Sequence, residues 1–277
     1  MPTKCERDLA QSPGAIRPSR RQVPAGQIDV WLARIPSARE WAELQPGRSC
    51  LSAEERQACS AFQRVEDRVR AEFARALLRT TLARYAAVLP EAWEFVLGEH
   101  GKPAAANPEG SRLRFNLSHT AELVACGVTL ERDLGLDLED ARREAEFLDL
   151  ARRVFADDEL AAFEALAPEA RQQRFFEHWT LKEAYLKARG LGFSLDPQCA
   201  SFEFGGAGRL RARFAAAAGE SAEPWWFALL EVAPAHTLAL ASKNGNRASR
   251  VRTYFLEAEA AEPRELELKI RASSNGP

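Results

Sequence analysis

The sequence is short of the features that usually announce a function. A formal net charge of -2 over 277 residues leaves no excess of either sign for wrapping nucleic acid or coating an anionic membrane, so any charge argument must be local. The five cysteines, Cys5, Cys50, Cys59, Cys126 and Cys199, include no C-x-x-C pair and are odd in number. That disfavours a disulfide framework and a zinc site and suits a reducing cytosol. The four histidines, His100, His119, His178 and His236, are scattered without metal-ligand spacing, which leaves only a hard metal held by oxygen open. There is no P-loop, no Gly-x-Gly-x-x-Gly and no Gly-x-Ser-x-Gly, which speaks against the common nucleotide-binding folds and against a serine hydrolase. No apolar run approaches membrane-spanning length, and the N-terminus lacks the apolar core of a secretory signal.

What is present suffices for a sizeable core, since 46% of the residues are hydrophobic. Residues 1–25, rich in Pro, Arg and Ser, read as a disordered lead-in, and residues 245–277 as a partly disordered tail in which "TYFLE" could dock. Between them, 26–133 and 134–244 form two stretches. In the first, "QIDVWLARI" predicts a strand. Ser52 and Glu55 match a capping box opening a long helix, marked by Phe73, Leu77, Leu78, Leu82, Tyr85 and Leu89, that stops at Pro90. Its seven arginines between Arg56 and Arg84 against three acids are most economically a solvated face. "RLRFNLSHTAELVACGVTL" predicts two strands joined at His119 to Glu122, and "DLGLDLED" a further one. Helices follow around 146–155 and 157–166, then one opening at Pro168 and closing at Gly190. The strands "ASFEF", "PWWFALLEV" and "HTLALASK" complete the second stretch. Strand, helices and strands occurring twice hints at two similar halves of an α+β fold.

Three constellations can carry chemistry. In "GLDLED" the strand period puts Asp137 and Glu139 on one face and Leu134, Leu136 and Leu138 in the core. Alone, the pair is most simply a solvated face; as a site it resembles half of a magnesium cage, built of hard oxygen donors. In "WTLKEAYLK" Glu183 and Lys187 stand at i and i+4, the arrangement of an ordinary surface ion pair. Trp179, one turn earlier, sets Glu183 at the edge of a buried face. In "FNLSHT" Ser118 and His119 close a strand, where a hydroxyl, an imidazole and free N–H groups can take a phosphate.

Taken in order, "GKP", "FNLSHT", "GLDLE" and "WTLKEAYLK" resemble the 4′-phosphopantetheinyl transferases, whose signature is matched by Gly135, Asp137 and Glu139 and by Trp179, Lys182, Glu183, Ala184 and Lys187. The resemblance covers about residues 28 to 243, and the length is similar to the larger, monomeric type that activates peptide and polyketide synthetases. It implies two similar α/β halves forming a pseudo-dimer within one chain, with the active site between them. It implies an enzyme, acting in the cytoplasm, that moves 4′-phosphopantetheine from coenzyme A to a serine of an apo carrier protein and releases adenosine 3′,5′-bisphosphate. On this resemblance Asp137, Glu139 and Glu183 hold Mg2+, with Mn2+ an equivalent. Glu183 accepts the serine proton, Lys187 faces the phosphates, and Trp179 buttresses the helix. Ser118 and His119 contact phosphates of coenzyme A, Gly101, Lys102 and Pro103 border the adenine nucleotide, and Arg70 meets the 3′-phosphate. Where some relatives carry two lysines after the Ser-x-Glu start, this chain has Glu55 and Ala58, with Arg56 or Arg64 as substitutes. The rival reading is a non-catalytic carrier- or nucleotide-binding module of the same fold; it predicts a lost acidic ligand, and none is missing.

Overall fold

Alternation along Gln27–Arg34 (β1) sets the architecture: Ile28, Val30 and Leu32 face one way and Trp31 and Ala33 the other, all of them buried. In the computed structural model, which describes residues 21–44, 49–143, 147–220, 224–232, 235–243, 249–257 and 263–274, β1 lies inside a five-stranded sheet. It pairs antiparallel with β5 (Leu123–Leu130), which pairs antiparallel with β4 (Leu113–His119) at the edge. A second sheet runs from β6 (Leu134–Asp140) at one edge through β10 (His236–Lys243) to β9 (Trp225–Val232), all antiparallel. Each sheet thus contains a run in which the first strand pairs with the last and the last with the middle one: β1-β5-β4 and β6-β10-β9.

The inner faces of the sheets share one apolar core, with Ile28, Val30, Leu32 and Ala125 from the first against Leu134, Leu136, Leu138, Ala228, Leu238 and Leu240 from the second. The outer face of the first sheet is covered by α3 (Val65–Leu82), through Leu77, Leu78 and Leu82 on Trp31, Phe115 and Val128. The outer face of the second is covered by α6 (Pro168–Arg189), through Leu181, Ala184, Tyr185 and Ala188 on Phe227, Leu229, Ala239 and Ala241. The helix α6 begins with Pro168 in its first turn and ends on Gly190 in the left-handed region at φ 63°, as the sequence predicts. The described residues also hold the helices α1 (Ala38–Glu43), α4 (Phe147–Val154) and α5 (Asp157–Glu164) and two short hairpins, β2 (Phe95–Leu97) with β3 (Pro103–Ala105) and β7 (Ala200–Phe204) with β8 (Leu210–Phe214), and the fold is mixed α+β.

Two expectations need correction. The helix foreseen from Ser52 to Pro90 is broken into α2 (Ala53–Ser60), with both capping-box bonds of Ser52 and Glu55 in place, and α3, which ends at Leu82. Only part of the 3.6-residue pattern belongs to α3. Tyr85 lies past its end and turns inward, donating to Asp29 Oδ2 at 2.7 Å and accepting from Trp31 Nε1 at 2.7 Å. The stretch read as a partly disordered tail supplies three strands among its described residues, and "TYFLE" docks there as the sequence allows. β11 (Arg250–Leu256) runs parallel to β1 and stacks Tyr254 on Trp31 at 4.6 Å, β12 (Arg264–Leu266) follows it, and β13 (Lys269–Ser273) extends the second sheet beside β9. Of the lead-in, residues 1–20 lie outside the described residues. Val23 is buried in the core under α3, and Arg21 lies over Tyr254.

Candidate active site

Gly135 explains how the second and third constellations meet. A Cβ at this position would stand 1.8 Å from Ala184 O and 2.5 Å from Ala188 N, so glycine alone lets the backbone of α6 rest on β6. With the two elements in backbone contact, the β6 side chains flanking Leu136 and Leu138 lie under the face of α6 that carries Glu183 and Lys187.

Asp137 is 4% exposed, so the solvated-face reading fails for it. Its Oδ1 accepts from Lys187 Nζ at 2.6 Å and from Ser118 Oγ at 2.9 Å, and Lys187 Nζ also reaches Ser118 Oγ at 3.1 Å. Three chain segments therefore close a triangle of hydroxyl, carboxylate and ammonium. The i, i+4 pair of Glu183 and Lys187 is not what forms: Lys187 turns to Asp137, the more deeply buried of the two carboxylates. Asp137 Oδ2 is buried with no hydrogen-bond partner.

Glu139 accepts from Trp179 Nε1 at 2.9 Å and lies 3.7 Å from Arg143. Burial first, then repulsion from Asp137, pushes its carboxyl above the ordinary range. Glu183 is raised for the same reasons, burial ahead of Asp137, with Lys187 opposing. Trp179 thus supports the neighbouring carboxylate as well as its own helix. Among the described residues no group of three or more His, Cys, Asp or Glu side chains is gathered closely enough to hold a metal ion. The donor set nevertheless suits a hard cation, with one orphaned oxygen on Asp137 and two carboxyls raised by burial and then by repulsion from Asp137.

The other predicted residues surround this centre. A cavity of about 290 Å³ opens beside it, lined by Gly101, Lys102 and Pro103 on one side and Glu183 and Lys187 on another. His119, exposed at the end of β4, has its imidazole held below the usual value by the protein packed around it and by the Arg70 guanidinium. The Arg70 side chain itself is paired with Asp67. Arg56 is turned back to Leu51 O. Glu55, beyond its capping role, accepts from Arg79 Nε at 2.8 Å, and Arg79 is 3% exposed.

Sequence reasoning missed the parts that Asn116 and Gly192 play and the partner of Lys182. Asn116, in "FNLSHT" and two residues before Ser118, accepts through Oδ1 from Leu136 N–H at 2.9 Å, joining edge strand to edge strand. The signal was its period-2 relation to Ser118. Lys182, within the signature helix, faces away from the centre: it pairs with Glu159 at 2.7 Å, both nearly fully buried, and donates to Pro197 O at 3.0 Å. Nothing in the local pattern around Glu159 announces that partner. Gly192, just past α6, lines the cavity.

Two family comparisons cover most of the chain. Residues 133–241 match the family described as the 4′-phosphopantetheinyl transferase superfamily, and residues 34–129 match the one described as 4′-phosphopantetheinyl transferase, N-terminal. The 4′-phosphopantetheinyl transferase HetI of Nostoc sp. is 35% identical over 179 residues, 64% of this chain and 75% of that protein. A phosphopantetheinyl transferase of Thraustochytrium sp. is 33% identical over 194 residues, 65% of this chain and 66% of that protein. A 4′-phosphopantetheinyl transferase of Bacillus subtilis is 31% identical over 166 residues, 60% of this chain and 70% of that protein. With matches on both stretches and relatives aligned over most of their own length, this chain belongs to the 4′-phosphopantetheinyl transferase superfamily.

Proposed function

We propose that the chain transfers the 4′-phosphopantetheine group of coenzyme A to a serine hydroxyl of an apo carrier protein, whether acyl, peptidyl or aryl, and releases adenosine 3′,5′-bisphosphate. The observation that carries this reading is the triangle of Ser118, Asp137 and Lys187 beside the raised carboxyls of Glu139 and Glu183. In the transfer the serine oxygen forms a bond to the β-phosphorus. The bond from that phosphorus to the oxygen bridging the two phosphates breaks, and the bisphosphate leaves with the electron pair. Glu183 takes the serine proton: its side chain makes no hydrogen bond or ion pair among the described residues, so its carboxylate is open to an incoming hydroxyl. Lys187 offers its ammonium to the charge that grows on the pyrophosphate.

Asp137, Glu139 and Glu183 are the residues that would hold Mg2+, or Mn2+, since both accept oxygen donors. Such an ion, when bound, supplies electrostatic stabilisation of the pyrophosphate. In this reading Ser118 and His119 take phosphates of coenzyme A, Arg70 takes the 3′-phosphate, and Gly101, Lys102 and Pro103 border the nucleotide. The cavity between the Gly101–Pro103 turn and α6 supports that placement. The same reading holds that two similar halves act as a pseudo-dimer in one monomeric, cytoplasmic chain, with carrier domains of fatty-acid, polyketide or nonribosomal peptide synthases as partners. Its support is the shared strand order of β1-β5-β4 and β6-β10-β9, each with a covering helix. No helix among the described residues is long and apolar enough to cross a membrane.

The test is mass spectrometry of apo carrier proteins of several kinds incubated with the protein, coenzyme A and magnesium. One phosphopantetheine group should be added at the carrier serine. Carriers left unmodified across the whole panel would overturn the reading.

A further inference from the structure

Lys102 occupies a place that a phosphate ligand does not need. Its Nζ donates to Ala188 O at 2.8 Å and to Leu134 O at 3.1 Å. Ala188 lies in the last turn of α6, where carbonyls have no partner within the helix and where a positive charge is favoured by the helix dipole. Leu134 opens β6, an edge strand. The lysine stem lies against Gly190, where a Cβ would come within 3.0 Å of Lys102 Cδ. Burial lowers the Lys102 ammonium to about 8, with Asp133 opposing the shift. The ammonium is thus held between two elements, and both of its bonds go to backbone carbonyls.

Those two elements carry the reacting groups. Ala188 follows Lys187 directly, and Leu134 shares β6 with Asp137. At Gly135 the helix and the strand already touch through their backbones, so a grip on Leu134 O and Ala188 O leaves no freedom for α6 to slide along β6. We propose that the Lys102 side chain is a positioning residue, which ties the last turn of α6 to the start of β6 and so fixes Lys187 against Asp137, while its ammonium makes no contact with coenzyme A. This rests on the transferase reading and adds to it a division of labour within "GKP": the turn borders the nucleotide, and the lysine side chain braces the catalytic pair. The brace also couples the turn that lines the cavity to the reacting centre, since Lys102 belongs to the cavity wall as well.

The experiment compares Lys102→Met, which keeps the stem and removes the donors, with Lys102→Gln, which keeps donors without the charge. Each is assayed on a carrier that the unaltered chain modifies, at a temperature where melting curves show the variant folded. Coenzyme A affinity is read separately by calorimetry. Lys102→Met should lower kcat by about tenfold or more, the scale on which misplaced groups lose rate, with coenzyme A affinity nearly unchanged; Lys102→Gln should recover part of kcat. If Lys102→Met proves unfolded at every usable temperature, the Gln variant reads the same split. Weakened affinity with kcat retained would mean that the ammonium binds phosphate, and kcat and affinity both unchanged would mean that the brace is idle; either overturns the proposal. An unaltered chain that modifies no carrier defeats the transferase reading instead.

Discussion

Lys187 and Asp137, fifty residues apart in the chain, meet at 2.6 Å across the contact of α6 with β6. The bond replaces the i, i+4 pair that helix periodicity offers, and it turns a surface motif into part of a half-buried centre. The same carboxylate oxygen also takes Ser118 Oγ from the first sheet, so Asp137, like the Asn116–Leu136 bond, ties the two sheets together.

Asp137→Asn should therefore cost transfer activity about a hundredfold or more, the range seen when one electrostatic group of a preorganised site is removed. Rates measured with a saturating carrier and coenzyme A check this. Circular dichroism should show the fold kept, because the change preserves the volume at the β6 position. Near-normal rates would remove Asp137 from the catalytic centre.

The raised carboxyl of Glu183 sets the direction of the pH dependence. In the role proposed for it the carboxylate must be ionised, so kcat should fall once the pH is low enough to protonate it. For stability the sign is opposite to that of a paired carboxylate. The folded chain holds this proton more tightly than the unfolded chain, so the stability it contributes is present below the ordinary value and is lost as pH rises through the raised one. Glu183→Gln should abolish transfer and yet leave the protein at least as stable at pH 7. Activity profiles and chemical denaturation of the variant across pH measure both.

Mutual repulsion among Asp137, Glu139 and Glu183 predicts that a divalent cation stabilises the folded chain. Millimolar Mg2+ should raise the melting temperature of the protein at pH 7, since a ligand that binds only the folded state adds to its stability. The shift should shrink in Glu139→Gln, and it should shrink on acidification as the carboxyls take protons. Melting curves with and without the ion, independent of any activity, decide it; an equal shift in the variant would exclude Glu139 from the ion's site.

Gly135→Ala tests the close approach of helix and strand. The added methyl meets Ala184 O and Ala188 N, which are backbone atoms that cannot swing aside. A loss of about 3 kcal/mol is expected, at the upper end of overpacking costs, together with a loss of transfer as α6 is lifted from β6. Urea titration of the variant gives the first quantity and a carrier assay the second.

Much of this was legible in one dimension. The period of two in "GLDLED" places Leu134, Leu136 and Leu138 in the core between the sheets, and the Pro168 and Gly190 termini bound α6 to within a residue. The strands at "QIDVWLAR", "LRFNLSH" and "LVACGVTL" stand where alternation puts them. The misreadings came where distant partners outweigh local preference. Tyr85 keeps helical spacing yet leaves the helix for Asp29, and the charged stretch after Lys243 becomes strands because two sheet edges are there to receive it.

By itself the sequence determined which residues belong to the catalytic candidates, because side-chain chemistry and strand and helix periods are local properties of the chain. It also determined the family, since the signature is a matter of order and spacing. Only the tertiary structure decided who pairs with whom. Lys187 goes to Asp137, Lys182 to Glu159, and Lys102 to the carbonyls of Leu134 and Ala188. Each of these three ammonium groups is placed by burial and by a partner far away in the chain, and the desolvation that decides between partners exists only once the sheets and helices have closed around them.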